Sequence, residues 1–382
     1  MKTTTDPRLG LVAGEASGDL LASLLLQGLK ARWPGLTSAG IGGPKLATQG
    51  FDAWWPSHKL SIFGYWDALK NIRELLSIRR QLGDRLLQER PDVFVGVDAP
   101  DFKFGLERRL RESGIKTVHF VCPSIWAWRP ERVETIKRSA DHVLCLFPFE
   151  PELLHKHGIA ATYVGHPLAD QIPLEPPRDE ARRDLGLDAS ATVIAVLPGS
   201  RRSELTYIFP PLLDAARRML AARPGLRFVV PVAPGLRPLV DELVSQHGAG
   251  VPLMLLDGRA HEALAACDLT LVASGTATLE AALLKRPMVI AYKLHWFNAW
   301  RMKGKALQPW VGLPNVLAGE TLVPECLQDD CTGEKIAREG LAWLDDVPRR
   351  ERVQQRFLEI HQQLRCNTAQ KAGDAIAKIL GA

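Results

Sequence analysis

At 382 residues, 46% hydrophobic and 24% charged, the chain is long for one domain and comfortable for two, with enough apolar content for a substantial core. Its net charge of +5 suits an anionic substrate or an anionic membrane surface and argues against a nucleic-acid binder, which would carry a dense basic stripe. The six cysteines are scattered without a Cys-x-x-Cys, which points to reduced cytoplasmic thiols rather than to disulfides or zinc; no leader-like apolar segment and no run of bilayer-spanning length is expected.

In chain order, LGLVA leads into a helix expected from about Asp19 to Arg32, and DVFVGVD follows one expected from about Asp67 to Arg90. KTVHFV, HVLCLF and ATYVG continue the series to Gly165. Apolar strands separated by helices imply parallel sheets built from right-handed crossovers. PLADQIPLEPPRDEARRDLG then carries proline and charge without strand character and reads as a linker followed by a short helix. A second series runs through TVIAVLPGSRRSE, RFVVPVA, VPLMLL, LTLVASGTATLE and PMVIAYK. The expected fold class is α/β: two Rossmann-like domains, residues 1–170 and 171–350, facing a central cleft where ligands collect at strand carboxyl ends. Residues 351–382 form a third, helical segment, a long stretch from about Glu351 to Leu380 with no strand after it, whose helices cross back onto the first domain or onto a partner chain. Neither GIGGPKL nor GEASGD has the G-x-G-x-x-G spacing and no Walker A sequence occurs, which disfavours an NAD enzyme.

Each candidate site follows an apolar run. GEASGD, with Glu15 and Ser17, offers a small-residue loop that lets a ligand approach the backbone, as well as an ordinary strand-to-helix turn. In VGVDAPDF, Asp98 ends a strand and qualifies as a general base, whereas Asp101 suits a helix cap. LPGSRRSE places Ser200 and Arg201 between a strand end and a helix start, where an arginine neutralises a diphosphate. LVASGTATLEAALLKRP brings Ser274, Gly275, Thr276 and Thr278 to a helix start, with Glu280 a turn later. One cap would need one hydroxyl; an anion site needs small residues and bare amides, and Glu280 then accepts from a sugar diol. Ile62, Phe63, Tyr65 and Trp66 precede Leu69, Ile72 and Leu76 at helical spacing, which fits either a core face or an acyl-chain and bilayer contact. Aromatics and cations from Lys293 to Trp310 have the same two readings. There is no Asp-x-Asp and no G-x-S-x-G, so neither a metal-dependent glycosyltransfer site nor a nucleophile elbow is expected.

In order, GEASGD, VGVDAPDF, PSIWAWRPERVETI, FPFE, YVGHPL, LPGSRRSE and ASGTATLEAAL resemble the lipid-A-disaccharide synthase family, GT-B-fold glycosyltransferases of Gram-negative bacteria. The resemblance spans about Val12 to Cys366 and extends to GLPNVLAG and VPECLQ. It implies transfer from UDP-2,3-diacylglucosamine to the 6-hydroxyl of 2,3-diacylglucosamine 1-phosphate, with inversion, release of UDP and no cofactor or catalytic metal. It also implies peripheral work on the cytoplasmic face of the inner membrane, and leaves open a homodimer with exchanged C-terminal helices. Carried over, Asp98 is the candidate base, with Glu15 and Asp19 as rivals; Glu15 and Ser17 face the reacting sugar. Ser200, Arg201, Ser274, Gly275, Thr276, Thr278 and Glu280 receive the UDP. The chain departs from the family pattern at Lys103, where DAPDFN is usual, and at Ser23, where glycine is common. Other UDP-sugar enzymes of the same fold, a MurG-like transferase or an epimerase, are the alternative, and a catalytically silent sugar-nucleotide binder is a third.

Overall fold

The structure, a computed structural model, describes residues 6–14, 16–57, 65–98, 100–294 and 307–381, giving the main chain alone for 16, 65–72, 100 and 101. The chain forms two compact units, Met1–Gln171 with Leu364–Ala382, and Ile172–Gln363.

In the first unit the strands are β1 Arg8–Ala13, β2 Thr37–Gly42, β3 Asp52–Pro56, β4 Val93–Val97, β5 Lys116–Phe120, β6 His142–Cys145 and β7 Ala161–Tyr163. They pair in parallel in the order β3-β2-β1-β4-β5-β6-β7. The second unit contains β8 Val193–Leu197, β9 Arg227–Val232, β10 Leu253–Asp257, β11 Leu269–Ala273, β12 Met288–Tyr292 and β13 Glu325–Leu327, ordered β10-β9-β8-β11-β12-β13 and again parallel. The central strands are almost wholly apolar because both faces are covered: every residue of β4, β8 and β11 is buried. One apolar cluster of the first unit joins Val12 and Phe94 to Ile78, Leu82 and Leu86 of the helix Tyr65–Glu89 and to Leu106 and Leu110 of the helix Pro100–Glu112. That helix begins at Pro100, so Asp101 lies inside its first turn rather than ahead of it.

The C-terminal helical stretch consists of two helices, Val347–Leu364 and Thr368–Leu380. The break is local chemistry: Asn367 takes a left-handed φ of 56°, and the Asp170 carboxylate accepts the Asn367 and Thr368 amides at 2.9 and 2.6 Å, capping the last helix. That helix packs on Ala16–Arg32 within the first unit, so closely that a Cβ on Gly28 would lie 1.9 Å from the Ala369 Cβ.

Candidate active site

Both sheets reverse direction once, between β1 and β4 in the first unit and between β8 and β11 in the second. In doubly wound sheets such a switch point opens a crevice at the strand carboxyl ends, where ligands bind. The registers Ala13↔Val97 and Leu197↔Val272 bring GEASGD beside VGVDAPDF and LPGSRRSE beside ASGTATLE. The four candidate loops therefore occupy the two switch points in pairs.

In the first unit, Asp98 is half-buried at the end of β4 with φ 55°, a left-handed conformation that aspartate tolerates better than most residues. Its amide donates to the Phe120 carbonyl at 3.0 Å, while its carboxylate has no partner among the described residues. Asp19 is committed elsewhere: buried, it accepts the amides of Gly43, Lys45 and Leu46 at 2.8, 2.9 and 3.2 Å and caps the short helix Pro44–Ala47. Ser17 is half-buried on the first turn of Ala16–Arg32, and Glu15 lies outside the described residues.

The two loops of the second unit end in opposite states. After β8, Arg201 caps the helix Arg202–Ala222, and Glu204 folds back to accept the Ser200 and Arg201 amides at 2.8 and 3.2 Å and the Arg201 Nη1 at 2.9 Å. After β11, the helix Thr276–Leu283 has no side-chain cap and no acid in its first turn. Ser274 is used internally, its amide donating to Ala291 at 2.9 Å and its hydroxyl to Val311 at 2.8 Å; the buried Thr278 hydroxyl donates back to Gly275 at 2.7 Å. What stays open is backbone: Gly275 and Thr276 are exposed, and a Cβ on Gly275 would meet nothing within 4 Å. An uncapped helix start with aligned amides is an anion receptor. Glu280 is held 3.1 Å from His261 Nε2, a neighbour that the sequence pattern does not reveal.

Other groups at the first unit's strand ends went unread in the sequence. Glu150 of FPFE is fully enclosed, and burial pushes it up to about 8 although it accepts from the Phe147 amide at 3.0 Å and from Trp126 Nε1 of WAW at 3.2 Å. Two motifs of the resemblance are thus one structural unit, completed by Phe147 and Phe149 packed edge-on against Trp126. Cys122, Cys145 and Glu150 place potential ligand atoms within 4.8 Å of one another, and a hydrogen bond with the Cys122 thiol, then burial, push the Cys145 thiol up. His166 of GHPL is enclosed, pushed down to about 4 by burial, and accepts the Leu168 amide on Nδ1 at 3.2 Å, so its ring is neutral. Of the expected lipid contacts, Ile62 and Phe63 lie outside the described residues, and for Tyr65, Trp66, Leu69 and Ile72 only the helical main chain is described. Leu76 is 47% exposed on that helix, whereas Ile78, Leu82 and Leu86 turn into the core. No helix among the described residues is long and apolar enough to cross a membrane.

A family model described as lipid-A-disaccharide synthetase matches residues 9–379. A lipid-A-disaccharide synthase of Paraburkholderia phymatum is 54% identical over 385 residues, covering 100% of this chain and 99% of that protein. One of Albidiferax ferrireducens is 53% identical over 378 residues, covering 98% and 97%. Among solved structures, the UDP-GlcNAc 2-epimerase of Neisseria meningitidis bound to UDP-GlcNAc aligns with a TM-score of 0.69 at 13% identity, over 97% of this chain and 100% of that one. Acinetobacter baumannii MurG aligns with a TM-score of 0.59 at 15% identity, over 98% and 99%. At such identities the likeness is one of fold, and the fold is GT-B.

Proposed function

Because the chain belongs to the lipid-A-disaccharide synthase family, a family of glycosyltransferases, we propose that it transfers the sugar of UDP-2,3-diacylglucosamine to the 6-hydroxyl of 2,3-diacylglucosamine 1-phosphate. The product is the β-1,6-linked disaccharide 1-phosphate, formed with inversion, and UDP leaves. A single displacement needs one base for the acceptor proton and electrostatic stabilisation of the departing diphosphate. Asp98 is the base: its turn is anchored by an amide and its carboxylate has no partner among the described residues. The diphosphate rests on the open amides at Gly275 and Thr276, with Arg201 as the counter-cation and Glu280 on the ribose.

The observation that carries this reading is the uncapped helix start after β11, beside a loop whose arginine stands 48% exposed. Helix-start amides and a cation together match a nucleoside diphosphate. Ile62 to Leu76 contact acyl chains from the cytoplasmic side of the inner membrane, and the exposed Leu76 supports that role. The test is UDP release by purified protein in detergent and EDTA, with UDP-2,3-diacylglucosamine or UDP-N-acetylglucosamine as donor, each with and without the acylated 1-phosphate acceptor. Release only from the acylated pair is expected. Release from UDP-N-acetylglucosamine alone, or from no pair, transfers the assignment to another UDP-sugar enzyme.

A further inference from the structure

We propose that Lys103 is the positioning residue of Asp98, its buried ammonium fixing the main chain on which the carboxylate stands. The inference rests on Asp98 being the base. Lys103 is completely enclosed, on the first turns of the helix Pro100–Glu112, and its Nζ turns back under the end of β4. There it donates to the Asp98 carbonyl at 2.8 Å and to the Val97 carbonyl in a shorter contact. With the Asp98 amide on the Phe120 carbonyl, the left-handed turn is fastened at both sides of its Cα while the carboxylate takes no part. A turn of φ 55° in a non-glycine residue persists only where its surroundings hold it, and these three bonds are that hold.

The helix also answers why an ammonium is tolerated there. An isolated cation in such surroundings is strongly unfavourable, so a compensating carboxylate is required nearby. Glu107 lies one helical turn on, is equally enclosed, and is 2.7 Å from Nδ1 of the enclosed His119 on β5. Both helix side chains run over Gly96 of β4: a Cβ there would lie 2.0 Å from the Glu107 Oε1 and 3.4 Å from the Lys103 Cδ. Gly96 therefore leaves the space in which the Lys103 stem and the Glu107 carboxylate cross the end of β4. A surface lysine at this position would hold nothing; an enclosed one with two main-chain acceptors makes the base stand in a single place, and placement of a reacting group by a fraction of an ångström is worth one to two orders of magnitude in rate.

The test uses the full chain with both acylated substrates, measuring kcat, each KM and thermal unfolding for Lys103→Met, Lys103→Asn and Asp98→Asn. Methionine keeps length but donates nothing, and asparagine is neutral but retains a donor. The expected result is a kcat lowered about 10–100-fold in Lys103→Met at KM values within about twofold of the parent, with a smaller loss in Lys103→Asn. A parental kcat in Lys103→Met, with Asp98→Asn inactive, overturns the positioning role and leaves the base in place. A raised KM at parental kcat likewise overturns it. Parental activity in Asp98→Asn removes the base, and the positioning role with it. If Lys103→Met does not fold, Lys103→Leu, which also donates nothing, decides: a lower kcat at unchanged KM supports the proposal, and a parental kcat overturns it.

Discussion

The two units repeat one topology and end it with opposite chemistry. At the first switch point a carboxylate stands on a left-handed turn, held by its main chain and without a partner at its oxygens among the described residues. At the second, the chain offers amides and a guanidinium, with Glu204 folded back on one loop and no acid in the first turn at the other. Strand order decides where a ligand meets the sheet, and the first few residues beyond the strand decide the charge it meets. On the proposed function, the first unit takes the acceptor proton and the second receives the phosphates.

The most severe way to break that contrast is to neutralise the acid. Asp98→Asn should lower kcat by about 10²–10⁴-fold while UDP affinity, measured by titration calorimetry, stays within about twofold. A parallel loss of UDP binding would mean that the acid belongs to the nucleotide side. Next, Arg201→Ala removes the exposed cation of the second unit and should weaken UDP binding by roughly 10–100-fold, the worth of about 1.5–3 kcal/mol for a charge-assisted contact. Unchanged affinity would leave the diphosphate to the helix amides alone.

Much of this was legible in the sequence because parallel strands buried on both faces read as continuous apolar runs, from LGLVA to PMVIAYK. The strands that escaped it lack such runs. β2 is TSAGIG, weakly apolar with two glycines; β3 is DAWWP, an edge strand closed by proline; β13 is three residues long. The site followed from the residues just past each run, where small and charged side chains stand out. What stayed hidden depends on partners far apart in the chain: Asp19 capping the helix Pro44–Ala47, His261 beside Glu280, Trp126 on Glu150, and Lys103 beneath Asp98. No local pattern encodes those pairings, since each is created only when separate crossovers bring two strand ends together. Lys103 was legible as a departure from DAPDFN, though its task was not.

The first unit also shelters a carboxyl in neutral form, and this sharpens the contrast through pH. Burial raises Glu150 from 4.5 to about 8, so its contribution to stability is complete below the ordinary value and is lost as pH rises through about 8. The parent protein should therefore lose thermal stability between pH 5 and pH 8, while Glu150→Gln, neutral throughout, should lose little over that range, starting from a lower value because its amide offers one acceptor where Glu150 meets two donors. Identical pH profiles in scanning calorimetry would show that another group governs the decline.

The smallest expected effect concerns the second unit's own acid. Glu204 takes the Ser200 and Arg201 amides and the Arg201 guanidinium, the same donors that an arriving diphosphate requires. In the proposed site a diphosphate and Glu204 would compete for them, a competition between partly exposed charges worth about 0.2–1 kcal/mol. Glu204→Gln should therefore tighten UDP binding by up to about fivefold while lowering the unfolding temperature slightly, because the helix Arg202–Ala222 loses the charge of its cap. Weaker binding would reverse the assignment: Glu204 would then hold Arg201 in its receiving position, and the second unit, like the first, would use a hidden partner to set the residue that meets the substrate.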